Sequence, residues 1–342
     1  MRVGVVGLVV AGLVSVGAGG AVWMMSSAAP PDKIQAAEQS PVPAAPAAPA
    51  AQLAAKADTL ADVTGTVPAS EPKPAPAPAK RACANPNALG IGRVVEIDTT
   101  GGPGFGFEHF KQLDFLSDKE VVLTFDDGPW PVNTPAVLKA LAEECTTGIF
   151  FAVGKHATYH PDILRQVAAA GHTVGSHTWS HANLNKKGMT EQQAKDEIEK
   201  GFSAVRLALG AAPAPFFRFP QLQHPPAMVT YLGTRDVAIF STDLDSFDFK
   251  ASKPEKIVET VMAKVNKLGK GIILMHDFQK HTAEALPTLL ARLKAGGFKV
   301  VQMKAKAPLQ TLAEYDAEVV KDAKLPTISA RPVSSVVQTV GN

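Results

Sequence analysis

Val121-Val122-Leu123-Thr124-Phe125-Asp126-Asp127-Gly128-Pro129 carries an almost unbroken apolar run into two adjacent carboxylates and a Gly-Pro turn. A short apolar run bounded by a turn signal suits a strand buried on both faces, as in a parallel sheet. Extended chain points neighbouring side chains to opposite sides. Two carboxylates at a strand end can therefore take different tasks, one binding a metal and the other accepting a proton. Taken alone, Asp-Asp-Gly-Pro also reads as an ordinary turn.

The pattern repeats along the chain. β-like runs follow at Ile149–Val153, Thr173–Gly175, Phe216–Phe219, Val237–Phe240, Ile272–Met275 and Phe298–Val301. Helical patterns lie between them at Pro135–Glu144, Pro161–Ala170, Thr190–Leu209, Pro254–Leu268 and Ala283–Ala295. Pro near the first turn and Gly after Ala170 and Leu209 mark several of their ends. Seven strand-like runs separated by helices predict an α/β fold of parallel βαβ units. A distorted (β/α) barrel of about seven parallel strands fits this count. A doubly wound open sheet is the alternative. In such barrels function gathers where the strands end.

Polar residues do cluster there. The third run leads into Ser176-His177-Thr178-Trp179-Ser180-His181. Histidines four apart on one face of a helical turn can reach one ion. With one Asp they make a three-ligand shell open to water, the form of a catalytic site; structural zinc is normally closed and four-coordinate. The fourth run gives Phe217-Arg218-Phe219-Pro220-Gln221, whose Arg can keep a carboxylate ionised and oriented. The fifth leads to Asp243, Asp245 and Asp248. The sixth ends in Leu274-Met275-His276-Asp277, where a carboxylate partner would suit His276 to general-acid work. Each has a plainer reading: a surface ion pair, a solvated acidic loop or a core histidine. Their repetition in order, at strand after strand, favours a site.

This set resembles the polysaccharide deacetylase family, the carbohydrate esterases with a NodB-type homology domain. The likeness runs from about Val121 to Met303. Thr124 to Gly128 matches the first motif unchanged, which implies Asp126 as catalytic base and Asp127 as metal ligand. His177 and His181 match the His-Ser/Thr-x-x-His motif and complete the implied metal site. The third motif implies Arg218 beside the base and a backbone N–H just after Pro220, that of Gln221, donating to the oxyanion. The fourth matches Asp248, implied to orient the catalytic histidine. The fifth matches Leu274, an apolar wall for the acetyl methyl, and His276, the general acid. Two positions depart: Gln221-Leu222 stands where the family often has Tyr-Gly, and Phe249 where it often has Trp.

The resemblance implies a divalent metal, zinc first and cobalt or another ion second. The implied activity is removal of N-acetyl groups from an N-acetylglucosamine polymer, peptidoglycan or chitin-like. Rival readings are an esterase acting on O-acetyl groups of a polymer such as xylan, and a catalytically silent glycan-binding envelope protein.

The remaining sequence bounds location and organisation. With 34 basic and 32 acidic residues among 342, the chain has no nucleic-acid footprint. Val3–Met25 is uncharged after Arg2 and long enough to cross a bilayer. Residues 1–29 are therefore read as a signal peptide or, slightly favoured, a membrane anchor facing the periplasm. Residues 30–82 hold eleven prolines between Pro30 and Lys80 and read as a semi-rigid disordered linker. Residues 83–120 read as a strap, with Gly101–Gly106 a turn-rich part of it; 121–303 as the catalytic domain; 304–342 as a partly disordered extension with a short helix around Leu309–Val320. Cys83 and Cys145 either bridge or stay apart.

Overall fold

The computed structural model describes residues 83–323. The apolar segment Val3–Met25, the Pro/Ala linker up to residue 82 and the tail from Pro326 lie outside the described residues. Among the described residues, no helix is long and apolar enough to cross a membrane.

The strands are β1 (Arg93–Ile97), β2 (Gly104–Phe105), β3 (Glu120–Asp126), β4 (Ile149–Ala152), β5 (Thr173–Ser176), β6 (Phe216–Phe217), β7 (Ala238–Phe240), β8 (Leu244–Asp245), β9 (Gly271–His276) and β10 (Lys299–Ala305). The helices are α1 (Asn133–Glu143), α2 (Gly154–Tyr159), α3 (Pro161–Ala169), α4 (Glu191–Leu209), α5 (Pro226–Thr234), α6 (Pro254–Leu268), α7 (Lys280–Ala295) and α8 (Ala313–Ala323). Their ends follow local chemistry. Thr190 and Gln193 form a capping box at the start of α4, and Gly210, at φ 69°, closes it. Pro254 opens α6 and Gly269 ends it.

Every strand pairing is parallel. The path β8-β9-β3-β4-β5-β6-β7 runs through seven strands, and its two outer members, β7 and β8, do not pair with each other. The result is an α/β fold consistent with a distorted, incompletely closed barrel. The sequence pattern predicts seven strands, but membership differs. The short β8 takes a place in the ring, and the run at Phe298–Val301 becomes β10 outside it. β9 lines β3 from Val121 to Asp126, so β4 and β10 share the other edge of β3. β10 then pairs with β1, and β2 adds to β7.

β3 is buried along its whole length, which explains its continuous apolar run. Under it, Leu123, Phe125, Ile273, Leu286 and Leu290 belong to one core beneath α1, α6 and α7. This packing fixes where the end of β3 stands.

Cys83 and Cys145 are joined, with Cα atoms 5.8 Å apart and 62 positions between them. The bridge fastens the start of the described chain just beyond α1, beside a hydrogen bond from the Leu89 N–H to the Glu144 carboxylate at 2.6 Å. Closing a loop of this length removes denatured-state entropy worth about 4 kcal/mol. Replacing both cysteines by serine should therefore lower stability by about 2–4 kcal/mol, read as an earlier urea-unfolding midpoint.

Candidate active site

Asp126 ends β3 and Asp127 follows it in a left-handed conformation, φ 74°. That turn sends their carboxylates different ways. Asp126 Oδ1 accepts from Arg218 Nη1 at 2.8 Å. Asp127 Oδ1 faces His181 Nε2 at 3.3 Å and His177 Nε2 at 3.6 Å.

Arg218 is fully buried just after β6. Its Nη1 also reaches Thr124 Oγ1 at 2.7 Å, Nη2 donates to the Ser241 carbonyl at 2.8 Å, and Nε to that of Phe240 at 3.3 Å. The guanidinium lies 4.5 Å from the Phe151 ring centre. Burial raises the Asp126 pKa, and Arg218 opposes that rise.

His177 Nδ1 lies 2.7 Å from the Arg218 carbonyl oxygen. A carbonyl only accepts, so Nδ1 carries the proton and Nε2 presents its lone pair. Burial pushes the His177 pKa down to about 3, which keeps the ring neutral. His181 reaches the same point by a route the sequence did not suggest. The segment from His177 to His181 is a loop, not a helical turn, with Thr178 at φ 68° and His181 at φ 61°. Glu197 of α4 pins it, accepting from Ser180 N at 2.8 Å and Ser180 Oγ at 2.7 Å. Convergence of the histidines thus depends on a helix residue with no local sequence signal.

The donor set fits a metal ion. Asp127 Oδ1 is buried and, among the described residues, has no hydrogen-bond partner. The Asp127, His177 and His181 donor atoms lie within 4.8 Å of one another. Two donors each about 2.1 Å from one tetrahedral zinc stand about 3.4 Å apart. The observed 3.3 and 3.6 Å bracket that value.

Across the site, at the end of β9, His276 Nδ1 meets Asp248 Oδ1 at 2.6 Å, and the His276 N–H donates to Asp248 Oδ2 at 2.7 Å. Thr282 Oγ1 donates to the same oxygen at 2.6 Å. Burial would depress the His276 pKa, but the Asp248 hydrogen bond and charge, with Asp127 and Asp126, outweigh it and raise it to about 10. His276 Nε2 is 4.0 Å from Asp127 Oδ2.

These groups open on a cavity of about 470 Å³, lined also by Gln221, Leu274 and Phe249. Pro220 is buried, and Gln221 after it is left-handed at φ 57°. Among the described residues, the Gln221 N–H has no acceptor. Phe249 packs edge-on to His276 with ring centres 5.8 Å apart. The residues given roles by the family resemblance therefore come together, Asp248 and Arg218 from behind the cavity wall, and Asp245 lines the cavity beside them. Asp243 does not: it accepts from the Phe107 N–H and from the Ile272 N–H near the start of β9. Glu108, His109 and Phe278 line the cavity without having been anticipated. The first two sit in the stretch read as a strap; Phe278 follows His276 at the alternate-residue spacing that could have revealed it.

The profile of the family described as polysaccharide deacetylase matches residues 115–236. A chitooligosaccharide deacetylase of Sinorhizobium fredii is 31% identical over 209 residues, covering 55% of this chain and 95% of that protein. A peptidoglycan-N-acetylglucosamine deacetylase of Listeria monocytogenes is 31% identical over 188 residues, covering 54% of this chain and 38% of that protein. Among solved structures, a peptidoglycan deacetylase of Bdellovibrio bacteriovorus matches with a TM-score of 0.58 and 33% identity, covering 67% of this chain and 63% of that one. The chain belongs to the polysaccharide deacetylase family. It is thus an enzyme of the hydrolase class, spanning nearly all of the rhizobial relative but less than two thirds of the Listeria and Bdellovibrio chains.

The Asp248–His276 pair has a direct readout. In metal-free protein, the His276 ring should stay protonated until the pH approaches about 10, followed by ring-proton NMR. Asp248→Asn removes the charge that favours imidazolium, so the titration should move down by about one unit or more.

Proposed function

We propose that the protein removes N-acetyl groups from an N-acetylglucosamine-containing polysaccharide of the bacterial envelope, with peptidoglycan the first candidate. The observation that carries this is the pairing of Asp127 Oδ1, without a hydrogen-bond partner among the described residues, with two histidine Nε2 atoms, while Arg218 keeps Asp126 apart. Asp127, His177 and His181 would hold a divalent ion, zinc by preference for this His₂Asp set, cobalt or another ion second. Bound there, it would polarise the acetyl carbonyl and acidify a water.

The protein groups divide the remaining work. Asp126 accepts the water's proton on Oδ2, the oxygen not engaged by Arg218. Its buried carboxyl is a stronger base than a solvated one, which suits general-base catalysis. The Gln221 N–H, set by Pro220 before it, donates to the developing oxyanion. His276 delivers a proton from Nε2 to the leaving nitrogen while Asp248 anchors Nδ1. Leu274 and Phe249 form apolar walls for the acetyl methyl and the sugar face. An amine leaves readily only when protonated, and the His276 ring, held at Nδ1 by Asp248, is placed to supply that proton.

The names of the Listeria and Bdellovibrio relatives support peptidoglycan; that of the rhizobial relative supports chitin-like oligomers. The Cys83–Cys145 bridge suits an oxidising compartment. With Val3–Met25, it supports export, either anchored in the inner membrane facing the periplasm or secreted after cleavage. Residues 30–82 would then space the catalytic part, centred on 121–303, from the bilayer.

Acetate release from peptidoglycan, chitin oligomers and acetylated xylan, each with and without chelator, tests the reading. Release from an N-acetylated polymer, abolished by chelator and restored by zinc, is expected. Release from xylan alone would move the assignment to an O-acetyl esterase, and glycan binding without release to a silent protein. Asp126→Asn should cut kcat by about 10²–10⁴ while keeping bound metal. His181→Ala should lose the metal as well, checked by metal analysis of the purified variants.

A further inference from the structure

The turn after β3 makes four backbone contacts, and two of them need particular side chains. The Asp127 N–H donates to the Phe151 carbonyl at 3.2 Å, and the Gly128 carbonyl accepts from the Val153 N–H at 3.1 Å. Both partners are backbone groups along the β4 segment, available whatever the side chains there. The peptide unit between Asp127 and Gly128 is different. Its carbonyl oxygen lies 2.6 Å from His156 Nδ1 on α2. Its N–H donates to Asp277 Oδ1, just beyond β9, at 3.1 Å.

Both contacts have built surroundings. His156 must carry its proton on Nδ1 to meet a carbonyl, and Trp130 packs edge-on against its ring, centres 5.1 Å apart. Asp277 is buried, and Thr134 Oγ1 donates to its Oδ2 while accepting from the Trp130 N–H at 2.8 Å. A Cβ on Gly128 would stand 2.1 Å from Asp277 Oδ2, so the carboxylate reaches the turn only because position 128 has no side chain.

We infer that His156 and Asp277 are positioning residues that grip the two ends of the Asp127–Gly128 peptide and so hold the Asp127 carboxylate toward His177 and His181. Neither touches the cavity. Rotation of that peptide would leave a carbonyl and an N–H without partners and turn Asp127 away from the histidines. The grip matters because Asp127 sits at φ 74°, a conformation disfavoured for a residue with a side chain. The inference rests on Asp127 being a metal ligand, as proposed above.

Zinc affinity of the metal-stripped full-length chain, measured by competition with a chromophoric chelator alongside the melting temperature, tests it. His156→Ala should weaken zinc binding by about tenfold or more, the scale for groups supporting a ligand, with little change in melting. His156→Asn should recover most of that loss, because its amide Nδ2 stands where the imidazole Nδ1 stood and can donate to the same carbonyl. Asp277→Ala should weaken binding likewise; if it does not fold, the His156 pair decides. Wild-type affinity in folded His156→Ala, or no recovery in His156→Asn, overturns the grip while leaving the ligand assignment intact. Failure of the unaltered chain to bind zinc overturns the ligand assignment and the grip together.

Discussion

A guanidinium buried without partners is untenable, and the site is organised around meeting the demands of Arg218. Its three nitrogens reach β3 through Thr124 and Asp126, and the chain around the end of β7 through the carbonyls of Phe240 and Ser241. Its own carbonyl oxygen accepts from His177 Nδ1. One residue thus orients the proposed base with its side chain and the proposed ligand with its main chain. Such a charge contributes geometry more than stability, since its desolvation cost offsets much of its Coulomb gain.

Around that anchor the backbone is strained where chemistry is expected. Asp127, Thr178, His181, Gln221 and Phe247 all take positive φ without being glycine. Left-handed residues of this kind cost energy and persist only when their surroundings over-determine them. Here the surroundings are named: Glu197 for the histidine loop, His156 and Asp277 for the aspartate turn, and apolar strands beneath. The core supplies rigidity at the strand ends, and the loops use it to aim carboxylates and imidazoles.

Most strands from β3 onward and most helices were legible because burial is written locally, whereas β1, in the stretch read as a strap, and α5 were not. The seven-residue β3 is apolar until its carboxylates because both faces are covered. Amphipathic helices with Pro starts or Gly stops, such as α4 and α6, announce themselves. The two-residue strands β2 and β8 do not, because neither sits in an apolar run like the one that exposes the equally short β6. α2, six residues beginning at Gly154, is too short to show a helical period.

The amino-acid order was enough to identify the α/β class, the strand-end residues and the family they resemble, since motif, turn chemistry and burial pattern are properties of neighbouring residues. It left open which strands border β3, that His177 and His181 meet through a loop, and whether Cys83 reaches Cys145. Those outcomes depend on partners far apart in the chain. Asp277 meets Gly128 across 149 positions, and Arg218 meets Asp126 across 92. Only packing of the whole sheet brings such groups within hydrogen-bonding distance, so the separation of the two carboxylates, Asp126 on Arg218 and Asp127 facing His177 and His181, is a tertiary result.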